Sequence, residues 1–285
     1  MNRAEAPAVS HSRRGDDRRT ASRLVVAPWR SVGRLLLAVA VIAIAGGALA
    51  AFVLWPRGPR DDGVLRAVIV DQLGQTDPNP EFIDRNVTRL REAGYAVDYV
   101  PAEQVTVEYY RTLPTRDYDL VVLRSHSAWL VRRKDEETGE AATDRQVTLF
   151  TNELYSDDDY TDDQLQHRIS RTFYPWDETG PRYFGIEPGF VEDSMQGRFR
   201  GTTVVLMGCA GLSSTGMADA FLARGASAFI SWDDEVTAYH TDAATERLLE
   251  HLLSPKDIPA REAVVRTMED VGEDPAFGAR LFLYP

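Results

Sequence analysis

The sequence predicts an α/β fold, a mostly parallel sheet covered by helices on both faces, preceded by one N-terminal transmembrane helix. Three observations carry that expectation. From residue 64 onward, short apolar β-type runs alternate with amphipathic segments, the order that builds parallel strands joined by crossover helices. Between Leu35 and Trp55 there are 21 residues without a charge. Charge is also divided unevenly: residues 1–60 hold ten Arg and three acidic residues, net +7, which leaves residues 61–285 at −19 within a chain of −12.

Taken in order, residues 1–34 read as a disordered basic tail, because eight Arg are scattered among Ala, Ser, Pro and Asp without apolar periodicity. Residues 35–55 then form the span. At about 1.5 Å per residue a helix of that length crosses a hydrocarbon core of about 30 Å, and Trp29 and Trp55 lie near its ends, where indole rings favour the interface. A cleaved secretory signal ending at Ala48-Leu49-Ala50 is the competing reading, but the 34-residue leader and the full-length apolar stretch exceed what a signal needs. The eight preceding Arg put the N-terminus in the cytoplasm by the positive-inside rule, so the following domain faces outward at the cell membrane. Residues 56–63 (PRGPRDDG) form a Pro/Gly linker, and residues 64–285 form the α/β domain.

Within that domain, strands are expected at Val64–Val70, Tyr95–Val100, Asp119–Leu123, Val147–Thr151, Thr202–Met207 and Ala226–Trp232. Helices are expected at Pro80–Ala93, Ala102–Leu113, Asp162–Ile169 and Met217–Arg224, with two more near Asp242–Leu253 and Pro259–Val271 closing the fold. Residues 170–200 read as a long irregular stretch rich in Pro, Gly and aromatic residues, most of whose rings pack on the sheet. The acidic domain should repel nucleic acid and attract cationic substrates. Cys209 is the single cysteine, which excludes an internal disulfide.

In open parallel sheets, reactive groups collect beyond the carboxyl ends of the strands. His126 follows one strand in DLVVLRSHS, and Cys209 follows another in TTVVLMGCAG. A cysteine nucleophile needs an imidazole that takes its proton and later returns it to a leaving amine. Gly208 and Gly211 let the backbone turn closely around Cys209, and a helix starting near Ser213 or Ser214 would aim its N-terminus at the thiol. With the imidazole nearby, these features are expected to lower the thiol pKa.

With His before Cys and each after an apolar strand, the chain resembles the caspase-like (clan CD) cysteine peptidases, which include caspases, legumains and gingipains. Gly208 before Cys209 fits the small residue common there, while Ser127 stands where many members have Gly after His. The segment MADAFLARGASAFISWDDEV, residues 217–236, is similar to the one after the nucleophile in gingipain-like domains, and the resemblance covers residues 64–253, about two-thirds of the chain. It implies a caspase-like three-layer sandwich and a Cys209–His126 dyad. It also implies an oxyanion hole from the backbone N–H groups of Ser127 and Cys209, and a substrate wall of Ser231 and Trp232. Asp233 or Asp234 would then pair with a basic side chain before the scissile bond. The partner would be a peptide or protein substrate, besides the lipid bilayer met by residues 35–55.

Two other readings stay open. A catalytically inactive caspase-like domain would bind a peptide or partner protein, and a glutamine-amidotransferase-like domain would need His240 or His251 as the partner of Cys209. The acidic run Asp157–Asp163 reads as a solvated loop, Asp242 as a helix N-cap beside His240, and Glu153 as a residue that could reach the crevice. No HExxH, Walker loop or dinucleotide fingerprint occurs, so neither a metal nor another cofactor is expected.

Overall fold

The computed structural model describes residues 62–130, 146–254 and 258–285. The expected membrane span at 35–55, the tail 1–34 and nearly all of the linker lie outside the described residues. Among the described residues, no helix is long and apolar enough to cross a membrane.

Along the chain the strands are β1 (Arg66–Asp71), β2 (Ala96–Val100), β3 (Leu120–Arg124), β4 (Ser127–Leu130), β5 (Gln146–Leu154), β6 (Ile169–Thr172), β7 (Tyr183–Ile186), β8 (Thr203–Leu206), β9 (Ala228–Trp232) and β10 (Leu281–Tyr284). The α-helices are α1 (Pro80–Glu92), α2 (Val107–Thr112), α3 (Thr161–Leu165), α4 (Gly216–Ala223), α5 (Ala238–Leu252) and α6 (Ala260–Val271). Six strands form one sheet in the order β10-β9-β8-β3-β1-β2, parallel except for β10. The other four form an antiparallel sheet in the order β4-β5-β7-β6.

The central strands β1, β3, β8 and β9 are buried on both faces, which explains why they read as apolar runs, whereas the edge strand β2 is largely exposed. Side chains alternate strictly: Val68, Val70, Val121, Leu123, Val204, Leu206 and Phe229 enter one hydrophobic cluster, and Ala67, Ile69, Leu120, Val122, Val205, Met207 and Ile230 enter the other. The first cluster is closed by α2, α4 and the small sheet through Tyr110, Phe221, Leu149 and Phe184. The second is closed by α1, α5 and α6 through Phe82, Leu248 and Val264. Each large apolar side chain so buried contributes about 1.5–3 kcal/mol. Helix α1 shows how its end is set: Pro80 opens it, the Asn79 side chain accepts from Phe82 N at 3.1 Å, and Arg89 and Arg91 occupy its last turn.

Several expected boundaries shift for local reasons. The helix expected at 102–113 divides into a 3-10 turn at Ala102–Gln104 and α2, because the Thr106 hydroxyl accepts from Tyr109 N at 3.1 Å and starts a new helix. The helix expected at 162–169 stops at Leu165, and His167 takes a left-handed φ of 54° that turns the chain into β6. The stretch 170–200 contains β7 and a π-helical turn at Phe190–Ser194. The last helix does not end the domain, since β10 returns as the antiparallel edge.

Candidate active site

Strand order in the large sheet reverses at β1, from which β2 lies to one side and β3, β8, β9 and β10 to the other. A crevice outside the carboxyl ends at such a switch point is the ordinary ligand site of a parallel sheet. Here it is a cavity of about 550 Å³, walled by Thr76 and Asp77 after β1, His126 after β3 and Cys209 after β8. Strands β3 and β8 are paired in parallel with Leu123 opposite Leu206, so His126 and Cys209 each stand three residues beyond a matched position. Both line the cavity.

His126 occupies the elbow between the two sheets, with only Ser125 and itself separating β3 from β4. Its backbone N–H donates to Gln72 Oε1 at 2.8 Å. Gln72 is fully buried, and its Nε2 donates to Asn152 Oδ1 at 2.8 Å and to the Tyr174 hydroxyl at 2.9 Å. The ring lies among Phe150, Tyr174 and Trp176, with centroids at 5.9, 5.1 and 5.5 Å. Nε2 is 3.0 Å from Thr76 Oγ1 and 3.9 Å from Asp77 Oδ2. Burial pushes the imidazole down to about 4, the Asp77 carboxylate opposes that shift and Arg124 adds to it.

Cys209 is held differently. Its Sγ accepts from Val236 N and donates to Val236 O, both at 3.5 Å. The Cys209 carbonyl accepts from Ser127 Oγ at 2.7 Å, tying the two strand ends together. Gly208 is required by close approach: a Cβ there would lie 2.2 Å from Ser127 Oγ, 2.4 Å from Ser125 O and 2.9 Å from Ser127 N. Burial pushes the thiol above its ordinary value; the Val236 backbone contact opposes this, and the Glu235 and Asp274 carboxylates add to it. The expectation of a lowered thiol pKa is therefore corrected. Desolvation favours the thiol over the thiolate, as it favours the neutral form of the His126 ring. Nor does α4 begin at Ser213 or Ser214; it begins at Gly216, and Ser213 Oγ accepts from Trp129 Nε1 at 2.6 Å while donating to Ala210 O at 2.7 Å.

The Phe150 N to His126 O bond, 3.0 Å, puts Ser127 at a non-hydrogen-bonded position of the β4–β5 pair. Its N–H therefore turns away from β5, on a residue that lines the cavity with Cys209. Ser231, Trp232, Asp233 and Asp234 are not among the residues lining the cavity. Ser231 is fully buried and donates to Leu206 O at 2.8 Å, and Trp232 is fully buried with Nε1 donating to Thr241 Oγ1 at 2.9 Å. These residues brace the Cys209 loop from behind: Ala210 N donates to Asp234 O and Leu212 N to Trp232 O, both at 2.8 Å. Asp233 is paired with the backbone of Arg280. Among the described residues, the acidic ones that line the cavity are Asp77 and Glu235.

His240 meets Gly272 O at 3.2 Å and His251 meets Asp270 Oδ2 at 2.8 Å, and neither lines the cavity. That removes the partner an amidotransferase-like arrangement needs. Glu153 accepts from Val107 N at 2.8 Å and from the Tyr160 hydroxyl at 2.8 Å, away from the crevice. Asp242 is not a cap, because Thr237 caps α5 and Asp242 sits inside the helix, buried against Arg124. Among the described residues, no group of three His, Cys, Asp or Glu side chains is arranged to hold a metal ion. Of the aromatic stretch, Tyr174, Pro175 and Trp176 wall the cavity, while Phe184 and Phe190 pack in the core.

Gln72, Thr76, Asp77 and Glu235 were not singled out from sequence. A polar run, QLGQTD, follows the first apolar strand directly, and its place beyond a strand end is the signal by which the first three could have been found. No protein-family model matches the chain, and no curated protein matches it either.

Proposed function

We propose that this chain is a membrane-anchored cysteine endopeptidase of caspase-like type, its domain facing outward and held to the bilayer by residues 35–55. The observation that carries the reading is the placement of His126 and Cys209 at matched positions beyond two hydrogen-bonded parallel strands, in one cavity. A mostly parallel sheet covered on both faces is also the architecture that the resemblance implies.

In this reading His126 acts as a general base with the substrate in place. It takes the proton from Cys209 as sulfur bonds to the scissile carbonyl carbon, and the oxygen that gains charge is met by the N–H groups of Ser127 and Cys209. Collapse expels the amine, which receives the proton from His126 and leaves a thioester on Cys209. Water, deprotonated by His126, then hydrolyses the thioester and returns the thiol. Asp77 and Glu235, with no Lys or Arg among the described lining residues, favour a basic side chain before the cut, the role first expected of Asp233 and Asp234.

Full-length protein is expected to hydrolyse Arg- or Lys-containing peptides ahead of Glu-containing ones and to lose hydrolysis on Cys209→Ala. Activity retained by Cys209→Ala removes the assignment. Labelling of an N-terminal tag by an impermeant reagent in intact cells would reverse the orientation. Burial of both groups, which favours their uncharged forms, supports a second reading, a domain that binds a peptide without cutting it. An electrophilic peptide that fails to label Cys209 selects that reading.

A further inference from the structure

Beneath His126 lies a buried ionic cluster that the sequence did not reveal. Arg124 is 1% exposed and stands opposite Asp71 in the β1–β3 register, at the strand ends that border the crevice. Its guanidinium reaches three elements. Nε and Nη2 donate to Asp242 Oδ1 and Oδ2 on α5, both at 2.8 Å. Nη1 donates to Asp71 Oδ1 at 2.8 Å, and Nη2 donates to the backbone carbonyl of Asp77 at 2.8 Å. Asp242 Oδ2 also accepts from Asn79 Nδ2 at 2.8 Å, and Asn79 caps α1.

The turn so gripped is the one that faces the imidazole. Thr76 Oγ1 is 3.0 Å from His126 Nε2, and the Asp77 carboxylate is 3.9 Å from the same atom. The contact with the Asp77 carbonyl is the only one of the four Arg124 bonds made to that turn, and it needs a planar fork whose other arms are fixed elsewhere. We propose that Arg124 is a positioning residue: anchored by Asp71 and Asp242, it holds the Thr76–Asp77 turn against His126 and so fixes the ring that serves Cys209.

This rests on the reading of His126 as the base, but its test reads the imidazole and not hydrolysis. Diethyl pyrocarbonate acylates neutral imidazole, so acylation of His126 in the full-length chain, followed by peptide mass spectrometry across pH, gives the ring's midpoint. Asp77 and Arg124 are the charged groups that face it. The wild-type midpoint is expected at about 4. Arg124→Lys keeps the positive charge and removes the fork; a freed turn admits water to the ring, which outweighs the loss of Asp77, so the midpoint should rise toward the ordinary value of about 6.5. Thr76→Ala, at the rim, uncovers the ring and should move it the same way by less, and it decides the matter if Arg124→Lys does not fold. A folded variant of either kind with the wild-type midpoint overturns the proposal. A chain that cleaves no peptide but shows the shift keeps the positioning role and loses only the peptidase reading.

Discussion

The two walls of the cavity are built by different means. The histidine wall depends on side chains from distant segments: Gln72 on the His126 backbone, Thr76 on its ring, and the Arg124–Asp71–Asp242 cluster behind. The cysteine wall leans more on backbone: Val236 on the sulfur, Ala210 and Leu212 bonded to the carbonyls of Asp234 and Trp232, and Gly208 pressed against Ser125 and Ser127, with the Ser127 and Ser231 hydroxyls added on the carbonyls of Cys209 and Leu206. The histidine side is therefore exposed to single side-chain losses and to pH. The cysteine side is exposed mainly to added bulk.

The largest break is expected on the histidine side. Asp242→Ala leaves Arg124 buried with two of its three carboxylate hydrogen bonds gone, and such a loss costs about 3–5 kcal/mol. Denaturant unfolding measures it, and a change below about 1 kcal/mol would mean the cluster is replaceable.

Next in size is a pH effect from His126. Its folded value is depressed to about 4 against an unfolded value of about 6.5, so below 6.5 the unfolded chain binds more protons. The stabilising term is complete above pH 6.5 and is lost as pH falls toward 4, amounting to about 3 kcal/mol across that window. His126→Gln should flatten this part of the stability profile. An unchanged slope would place the titration elsewhere.

The smallest break lies on the cysteine side. Gly208→Ala must push apart two backbone segments for one methyl group, at about 1–3 kcal/mol. Its melting temperature should fall while the His126 midpoint stays near the wild-type value. A midpoint that moves with it would mean that the two walls are one unit.

How much of this was legible follows from the same contrast. Strands β1, β3, β8 and β9 are buried on both faces, and burial of that kind writes itself as Val, Ile and Leu runs. His126 and Cys209 could be found because each follows such a run. Strands β4, β6, β7 and β10 have four residues each. At that length SAWL, ISRT and YFGI show neither alternation nor an apolar run that stands out from a loop, whereas β8, equally short, is all apolar after Thr203. Arg124 and Asp242 lie 118 residues apart and Gln72 and Tyr174 lie 102 apart, so only the strand order brings them together. Asp233 and Asp234 were placed near the substrate because they follow β9, but the chain turns there to brace residues 210–212, and Glu235 takes the cavity wall.

The most direct measurement is the rate at which an Arg-containing electrophilic peptide labels Cys209 in the full-length chain, as a function of pH, with and without His126→Ala. If the pair acts together, labelling should rise through an acid limb at about 4 and stay high at neutral pH. His126→Ala should then slow it by at least about 100-fold. Equal rates with and without His126, or no labelling of the wild-type thiol, would contradict the central claim.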